Sequence, residues 1–249
     1  MNALVIVPTY NERENLPQLA PAILGQSDAF HLLLVDDNSP DGTGQIADDL
    51  AAADPRVHVI HRDGKRGLGT AYVAGFKWAL ERGFEYVFEM DADFSHDPAD
   101  LPRLIDGAKR SGVAVGSRWV AGGGTENWSV LRTLISRGGS IYAKLILGVP
   151  VNDLTSGFKC FSSSVLRKLD LDSLGSNGYA FQVEVNYRCH RLGYHIVEVP
   201  IRFVDRRVGK SKMSSGIVIE AMGVVWKLRL WGTAAAAAPS AKYSKLPPS

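Results

Sequence analysis

The stretch FEMDADFSHDP, Phe88 to Pro98, leaves an apolar run and enters three carboxylates, Asp91, Asp93 and Asp97. Aspartates at such a place have two uses: capping a turn ahead of the helix that Pro98 opens, or holding a hard divalent cation. In an extended strand side chains alternate, so Asp91 and Asp93 would face one side and Ala92 the other. Mg²⁺ or Mn²⁺ takes oxygen ligands and is commonly held by one or two carboxylates together with a substrate's phosphates. The D-x-D pattern alone is weak. Asp170-Leu171-Asp172 is a second instance, in a turn-like setting that reads as surface. His96 reads as a turn residue rather than a ligand.

Other carboxylates sit at comparable places. Thr9 and Glu12 have the spacing of a capping box, which would close a helix starting near Glu12; a nucleotide contact is compatible with the same position. Asp36 and Asp37 in VDDNSPDGTG fit an Asx-type turn and equally fit hydrogen bonds to a base or ribose. Two motifs fail. Gly209-Lys210-Ser211 lacks the glycine of a phosphate-binding P-loop, Val204 standing in its place, and Gly67-Leu68-Gly69 has Tyr72 where a dinucleotide fingerprint needs its third glycine.

These residues must be positioned by regular elements. ALVIVP, HLLLVDD, VHVI, YVFEMDAD and VAVGSR are short apolar runs that alternate with helical patterns, and continuous apolar strands alternating with helices indicate a parallel sheet covered on both faces. The expected fold is α/β, one Rossmann-like nucleotide-binding domain with a mostly parallel central sheet. In such sheets ligands sit beyond the carboxyl ends of the strands, which selects Pro8 to Glu12, Asp36, Asp37, Asp91 to Asp93 and Arg118. The second half is predicted to hold a helix over Val130–Leu147, a helix around Ala180–Leu192, a strand over YHIVEVPIRFV and a basic loop, DRRVGKSKMS. The ordered domain is expected to span 1–232, with a low-complexity, disordered tail over 233–249.

Composition excludes several classes. With 249 residues, 45% hydrophobic and 22% charged, the chain is long enough for one large core. A net charge of +2 and a short basic cluster without interleaved aromatics argue against a nucleic-acid partner. Cys160 and Cys189 lack metal-site spacing and read as reduced thiols. No secretory signal is visible, and the longest apolar run, Ile217 to Trp231, is broken by Glu220, Lys227 and Arg229.

Taken in order, VPTYNERENL, LLVDDNSPDGTG, GLGTAYVAGFKWAL, MDADFSHDP, GSRWVAGGG, LTSGFKCF and FVDRRVGKSKMS resemble glycosyltransferase family 2, and within it the polyprenol-phosphate (dolichol-phosphate) mannosyltransferases, from about Ala3 to Met213. The resemblance implies a GT-A fold and a metal-dependent, inverting transfer of mannose from GDP-mannose to a polyprenyl (dolichyl) monophosphate. By motif, Pro8, Tyr10, Glu12, Val35 and Asp37 would line the guanosine. Asp91 and Asp93 would hold Mg²⁺ or Mn²⁺, with Ala92 beside the donor. Arg118, Arg206 and Lys212 would meet phosphates, and Arg132 and Ser136 the acceptor phosphate. Such an acceptor needs no strong base, since a phosphate monoester with a second pKa of about 6 is already ionised. Repulsion between two anions is the obstacle, which makes Arg118 and Arg132 the stronger catalytic candidates.

A lipid acceptor also gives a use to IYAKLILGV and IVIEAMGVVWKLRLW, amphipathic segments that either pack on the core or lie in a bilayer interface. The expected location is cytoplasmic and peripheral on the cytoplasmic face of a membrane, with a membrane-anchoring protein as a further partner. The rival readings are a polyprenyl-phosphate glucosyltransferase using UDP-glucose and a non-catalytic nucleotide-binding subunit of a membrane complex.

Overall fold

The computed structural model describes residues 1–176, 178–205 and 222–230. Arg206, Lys212 and the tail over 233–249 lie outside the described residues.

The first half alternates as its apolar pattern requires: β1 (Ala3–Thr9), α1 (Leu16–Leu24), β2 (Phe30–Asp36), α2 (Thr43–Ala53), β3 (Val57–His61), α3 (Leu68–Glu81), β4 (Tyr86–Glu89), α4 (Leu101–Ser111) and β5 (Val113–Ser117). There follow β6 (Gly124–Glu126), α5 (Val130–Leu147), β7 (Lys159–Ser162), the short α6 (Ser163–Leu166), α7 (Gly178–Arg191), β8 (Ile196–Pro200) and β9 (Arg202–Val204). A further helix, α8, covers 222–230. The main sheet has the order β3-β2-β1-β4-β7-β5-β8, and β6 pairs with β9 in a second, two-stranded sheet. The main sheet is parallel except for β7, which runs against both β4 and β5. The mostly parallel α/β sheet expected from the sequence is therefore present.

Alternation along the strands assigns side chains to two cores. Leu4, Ile6, Leu33 and Val35 meet α3, α5 and α7 on one face. Ala3, Val5, Val7, Leu32 and Leu34 meet α1 and α4 on the other. A Cβ on Gly75 of α3 would come within 2.7 Å of Ile6, so glycine there lets the helix lie close to the sheet. Truncating Ile6 to alanine, with the side chain fully buried, costs about 2–5 kcal/mol.

Four expectations need correction. Strand β4 ends at Glu89, so Asp91 to Asp93 belong to an irregular loop and the strand alternation expected of them does not apply. The last sheet bond runs from the Met90 amide to the Ile6 carbonyl. Helix α1 begins at Leu16, after Asn15, not near Glu12. No capping box joins Thr9 to Glu12, because the Glu12 amide donates to Thr43 Oγ1 at 2.9 Å while the Thr9 hydroxyl donates to Asp36 Oδ1 at 3.1 Å. The run YHIVEVPIRFV is two strands in two sheets, broken at Ile201, whose amide bonds to the Ser117 carbonyl. Strand β7 went unforeseen: it is four residues long and carries a lysine inside the sheet.

Candidate active site

The loops that leave β1, β2 and β4 meet at one edge of the sheet and enclose a cleft of about 190 Å³. Its walls include Pro8, Tyr10, Glu12, Asp37, Asp91, Ala92 and Asp93, all expected from the sequence, and also Lys65, Gly67 and Leu68, which were not. Val35 is buried in the core opposite Pro8 in the β1–β2 register and does not reach the cleft. The loops are tied together: the Asn11 amide donates to Ser39 Oγ at 3.1 Å, the Glu12 amide to Thr43 Oγ1 at 2.9 Å, and the Asp37 amide to the Thr9 carbonyl at 3.1 Å. Glu12 Oε2 accepts from Asn15 at 2.7 Å. Lys65 stands over the Tyr10 ring, 4.3 Å from its centroid.

Asp36 and Asp37, open between two readings in the sequence, part company: Asp36 is bonded within its own loop and Asp37 lines the cleft. Asp36 accepts from the Ser39 amide at 3.1 Å and its hydroxyl at 2.6 Å, an Asx-type turn. Asp37 faces the cleft, 3.2 Å from Arg62 in an ion contact that lacks hydrogen-bond alignment. Burial pushes its carboxyl above the ordinary range against the pull of Arg62.

The three aspartates of the opening stretch separate likewise. Asp97 is the capping residue, accepting from the Ala99 amide at 2.9 Å. Asp91 and Asp93 line the cleft, and Asp93 Oδ1 also accepts from the Ser95 amide at 3.1 Å. Phe94, next in line, is left-handed at φ 60°, a conformation that aromatic side chains rarely adopt and that the surrounding loop must hold in place. His96 does more than fill a turn. Its buried ring stacks on Phe158 and meets Phe203 edge-on, while Nδ1 accepts from the Asp91 amide at 3.3 Å. Burial holds the ring neutral, lowering its pKa to about 3, so the 3.9 Å approach to the Asp91 carboxylate is not an ion pair.

A second cleft, of about 210 Å³, adjoins the first and shares Leu68 and Asp91 with it. Its other walls include Arg118, Trp128, Arg132, Thr155, Gly157, Tyr179 and Gln182. Arg118, almost fully buried, grips Asp153 through Nε and Nη2, each at 2.7 Å, and reaches Thr155 Oγ1 at 2.9 Å. Burial alone would lower its pKa, but Asp153 reverses the sign and holds it above the ordinary value. Arg132 lies over Trp128, 4.0 Å from the ring centroid, and donates to Asp205 Oδ1 at 2.6 Å. Ser136 is on the same helix but buried, and is not part of the cleft wall.

Behind this cleft lies a buried polar cluster. Lys159 donates to Glu89 Oε2 at 3.2 Å, to the Ser156 carbonyl at 2.7 Å and to Gln182 Oε1. Burial pushes the lysine down and the glutamate up, each opposed by its partner. Its sequence signal was a lysine inside the apolar run GFKCF.

An α/β sheet with an acidic cleft at its carboxyl edge and an arginine-lined cleft beside it is the architecture of a nucleotide-sugar-binding fold. The family model for glycosyl transferase family 2 matches residues 4–170, and the chain belongs to that family. It is 49% identical over 94% of its length to undecaprenyl-phosphate mannosyltransferase from Micrococcus luteus, covering 96% of that protein. It is 48% identical over 92% of its length to polyprenol monophosphomannose synthase from Mycolicibacterium smegmatis, covering 86% of that protein. Among solved structures, glucosyl-3-phosphoglycerate synthase from Mycobacterium tuberculosis with Mn²⁺, UDP and glucosyl-3-phosphoglycerate superposes with a TM-score of 0.65 at 18% identity, over 92% of this chain and 79% of that one. That likeness establishes the GT-A-like fold.

Proposed function

We propose that the protein moves mannose from GDP-mannose to a polyprenyl (dolichyl) monophosphate, inverting the sugar carbon and releasing GDP. The observation that carries this reading is the pair of adjoining clefts joined at Asp91, one lined by carboxylates and the other by arginines. The mannosyltransferase names of relatives at 48–49% identity support the choice of sugar and acceptor.

Pro8, Tyr10, Glu12 and Asp37 bind the nucleoside, with Lys65 closing over Tyr10. The donor set at Asp91 and Asp93, hard carboxylate oxygens on one cleft wall, fits Mg²⁺ or Mn²⁺, and these residues would hold it. When bound, such an ion neutralises charge on the leaving diphosphate. The acceptor's phosphate oxygen forms the new bond to the sugar carbon as the bond to the diphosphate breaks, and both electrons of that bond leave with GDP. Arg132 and the Nη1 corner of Arg118, which takes no part in the Asp153 bonds, relieve the repulsion between the two anions. Arg206 and Lys212 are assigned to the diphosphate by resemblance, and Ser136 to the acceptor side.

The lipid tail is served by α5 and α8. Leu131 and Leu145 are 68% and 78% exposed, and Leu134, Ile141, Trp226 and Leu230 are exposed beside them. Val225 and Leu228 join the core, and Tyr142 hydrogen-bonds the Met222 carbonyl, so each helix has one face packed and one open. No helix among the described residues is long and apolar enough to cross a membrane. An interfacial position on the cytoplasmic face, alone or with an anchoring protein, fits these faces. Leu131→Glu with Leu134→Glu should abolish sedimentation with anionic vesicles while leaving GDP binding intact.

The test of function is transfer by the purified protein with Mg²⁺, polyprenyl phosphate and radiolabelled GDP-mannose or UDP-glucose. A labelled mannolipid is expected. Transfer from UDP-glucose alone overturns the donor assignment, and nucleotide binding with no transfer from either favours a non-catalytic subunit.

A further inference from the structure

Trp128 stands between β6 and α5, where the backbone turns through Asn127 at a left-handed φ of 61° and Ser129 caps the helix by accepting from the Arg132 amide at 3.3 Å. That cap places Arg132 in the first turn, and its guanidinium lies over the indole, 4.0 Å from the ring centroid. Phe203 of β9 meets the same indole edge-on at 5.2 Å and braces it. Arg118 approaches the ring at 5.5 Å, so among the described residues Trp128 is the aromatic surface common to both arginines of the cleft.

The two arginines are fixed unequally. Arg118 gives two side-chain bonds to Asp153 and a third to Thr155, which together set the plane of its guanidinium. Arg132 gives one, from Nη1 to Asp205, while its Nε is buried without a hydrogen-bond partner. A single bond leaves a planar fork free to turn about it, and a flat indole face removes that freedom. Packing alone does not ask for tryptophan here. A phenylalanine would cover the arginine without burying an unpaired N–H, whereas Trp128 Nε1 is buried and has no partner among the described residues. What the indole adds over a smaller ring is the best π face for a cation. We propose that Trp128 is a positioning residue for the acceptor phosphate, acting through Arg132 by holding the guanidinium in the plane that receives the phosphate oxygens. This rests on the reading that the arginine-lined cleft takes the acceptor's phosphate.

The test is a double-mutant cycle between Trp128→Leu and Arg132→Ala, with Trp128→Phe as the conservative variant. Trp128→Leu should raise the KM for polyprenyl phosphate about threefold to thirtyfold. Its kcat at saturating acceptor, and the Kd for GDP measured by calorimetry with Mg²⁺, should stay at wild-type values. Trp128→Phe, a weaker but still aromatic platform, should recover most of the loss and leave a rise of about twofold. In the Arg132→Ala background Trp128→Leu should change the acceptor KM by less than about twofold, whereas a packing defect carries its penalty into either background. A wild-type acceptor KM in Trp128→Leu, an equal penalty in both backgrounds, a Trp128→Phe no better than Trp128→Leu, or a parallel loss of GDP binding would each overturn the proposal. Should Trp128→Leu fail to fold, the rise in Trp128→Phe must be present and must vanish with Arg132→Ala, or the proposal falls. A wild type that transfers to no polyprenyl phosphate overturns the acceptor assignment instead. Calorimetry with inorganic phosphate, GDP and Mg²⁺ then decides: the wild type must bind the phosphate and the Trp128 variant must bind it more weakly, or the proposal falls as well.

Discussion

The two clefts are built in opposite ways. The acidic one is made of loops that directly follow parallel strands, so Pro8, Asp37 and Asp91 arrive at the sheet edge by chain order alone. The arginine-lined one collects Arg118, Arg132, Thr155, Gly157 and Gln182 from a strand end, two helices and the approach to β7. Because β7 is antiparallel, the residues ahead of it, not behind it, lie at the ligand edge, which is why Asp153, Thr155 and Gly157 join the site. The first cleft holds its residues by bonds that backbone amides make between loops; the second holds them by ion pairs, of which Arg118–Asp153 is buried and Arg132–Asp205 partly exposed.

Mutations should expose that contrast. The largest loss is expected in the acidic cleft, where Asp93→Ala should lower kcat at least about a hundredfold, as should stripping divalent ions with a chelator. Activity that survives both would remove the metal reading. Next, Arg118→Ala leaves fully buried Asp153 without its partner and should cost about 3–5 kcal/mol of stability, read by chemical denaturation. Arg132→Ala breaks a partly exposed pair with Asp205, should cost about 1 kcal/mol or less, and should instead raise the KM for polyprenyl phosphate. Equal stability losses for the two would mean that the second cleft is not organised as described. In the acidic cleft, Lys65→Ala should raise the donor KM about two- to fivefold with kcat kept, through loss of the contact over Tyr10.

The smallest effect is expected at a pair remote from both clefts. His31 Nδ1 and His58 Nε2 lie 3.3 Å apart, and burial lowers the pKa of each below 6.5. Below that pH the unfolded chain binds protons that the folded pair refuses, so the contribution is full above pH 6.5 and is lost as pH falls. Thermal melting should therefore drop between pH 7.5 and 5.5 by more in the wild type than in the His31→Gln, His58→Gln double variant.

What could be read from the sequence follows the same division. Strands β1 to β5 are apolar runs of five to seven residues with helices between them, except for the four-residue β4, and their ends name the acidic cleft directly. Helix α5 falls on its predicted bounds because its amphipathic pattern is long and ends at Gly148, which takes a left-handed φ of 69°. The D-x-D argument reached the right wall by the wrong route, since the strand stops at Glu89 and a loop closed by His96 does the aiming. Val35 was misplaced because it precedes the strand end by one residue and alternation turns it into the core. Strand β7 and Gln182 left no local signal, and Lys159 left only its odd place in an apolar run, because their pairing spans long sequence separations and no local period encodes a lysine that is neutralised by a glutamate 70 positions away.

One contact sets a condition on what can bind at Arg132. The guanidinium meets Asp205 through Nη1 alone while its Nε has no hydrogen-bond partner, so an arriving anion shares the arginine with a carboxylate instead of having to remove it. If the acceptor is the polyprenyl monophosphate proposed above, its second negative charge gives it a stronger hold on that shared guanidinium than a singly charged phosphodiester would have.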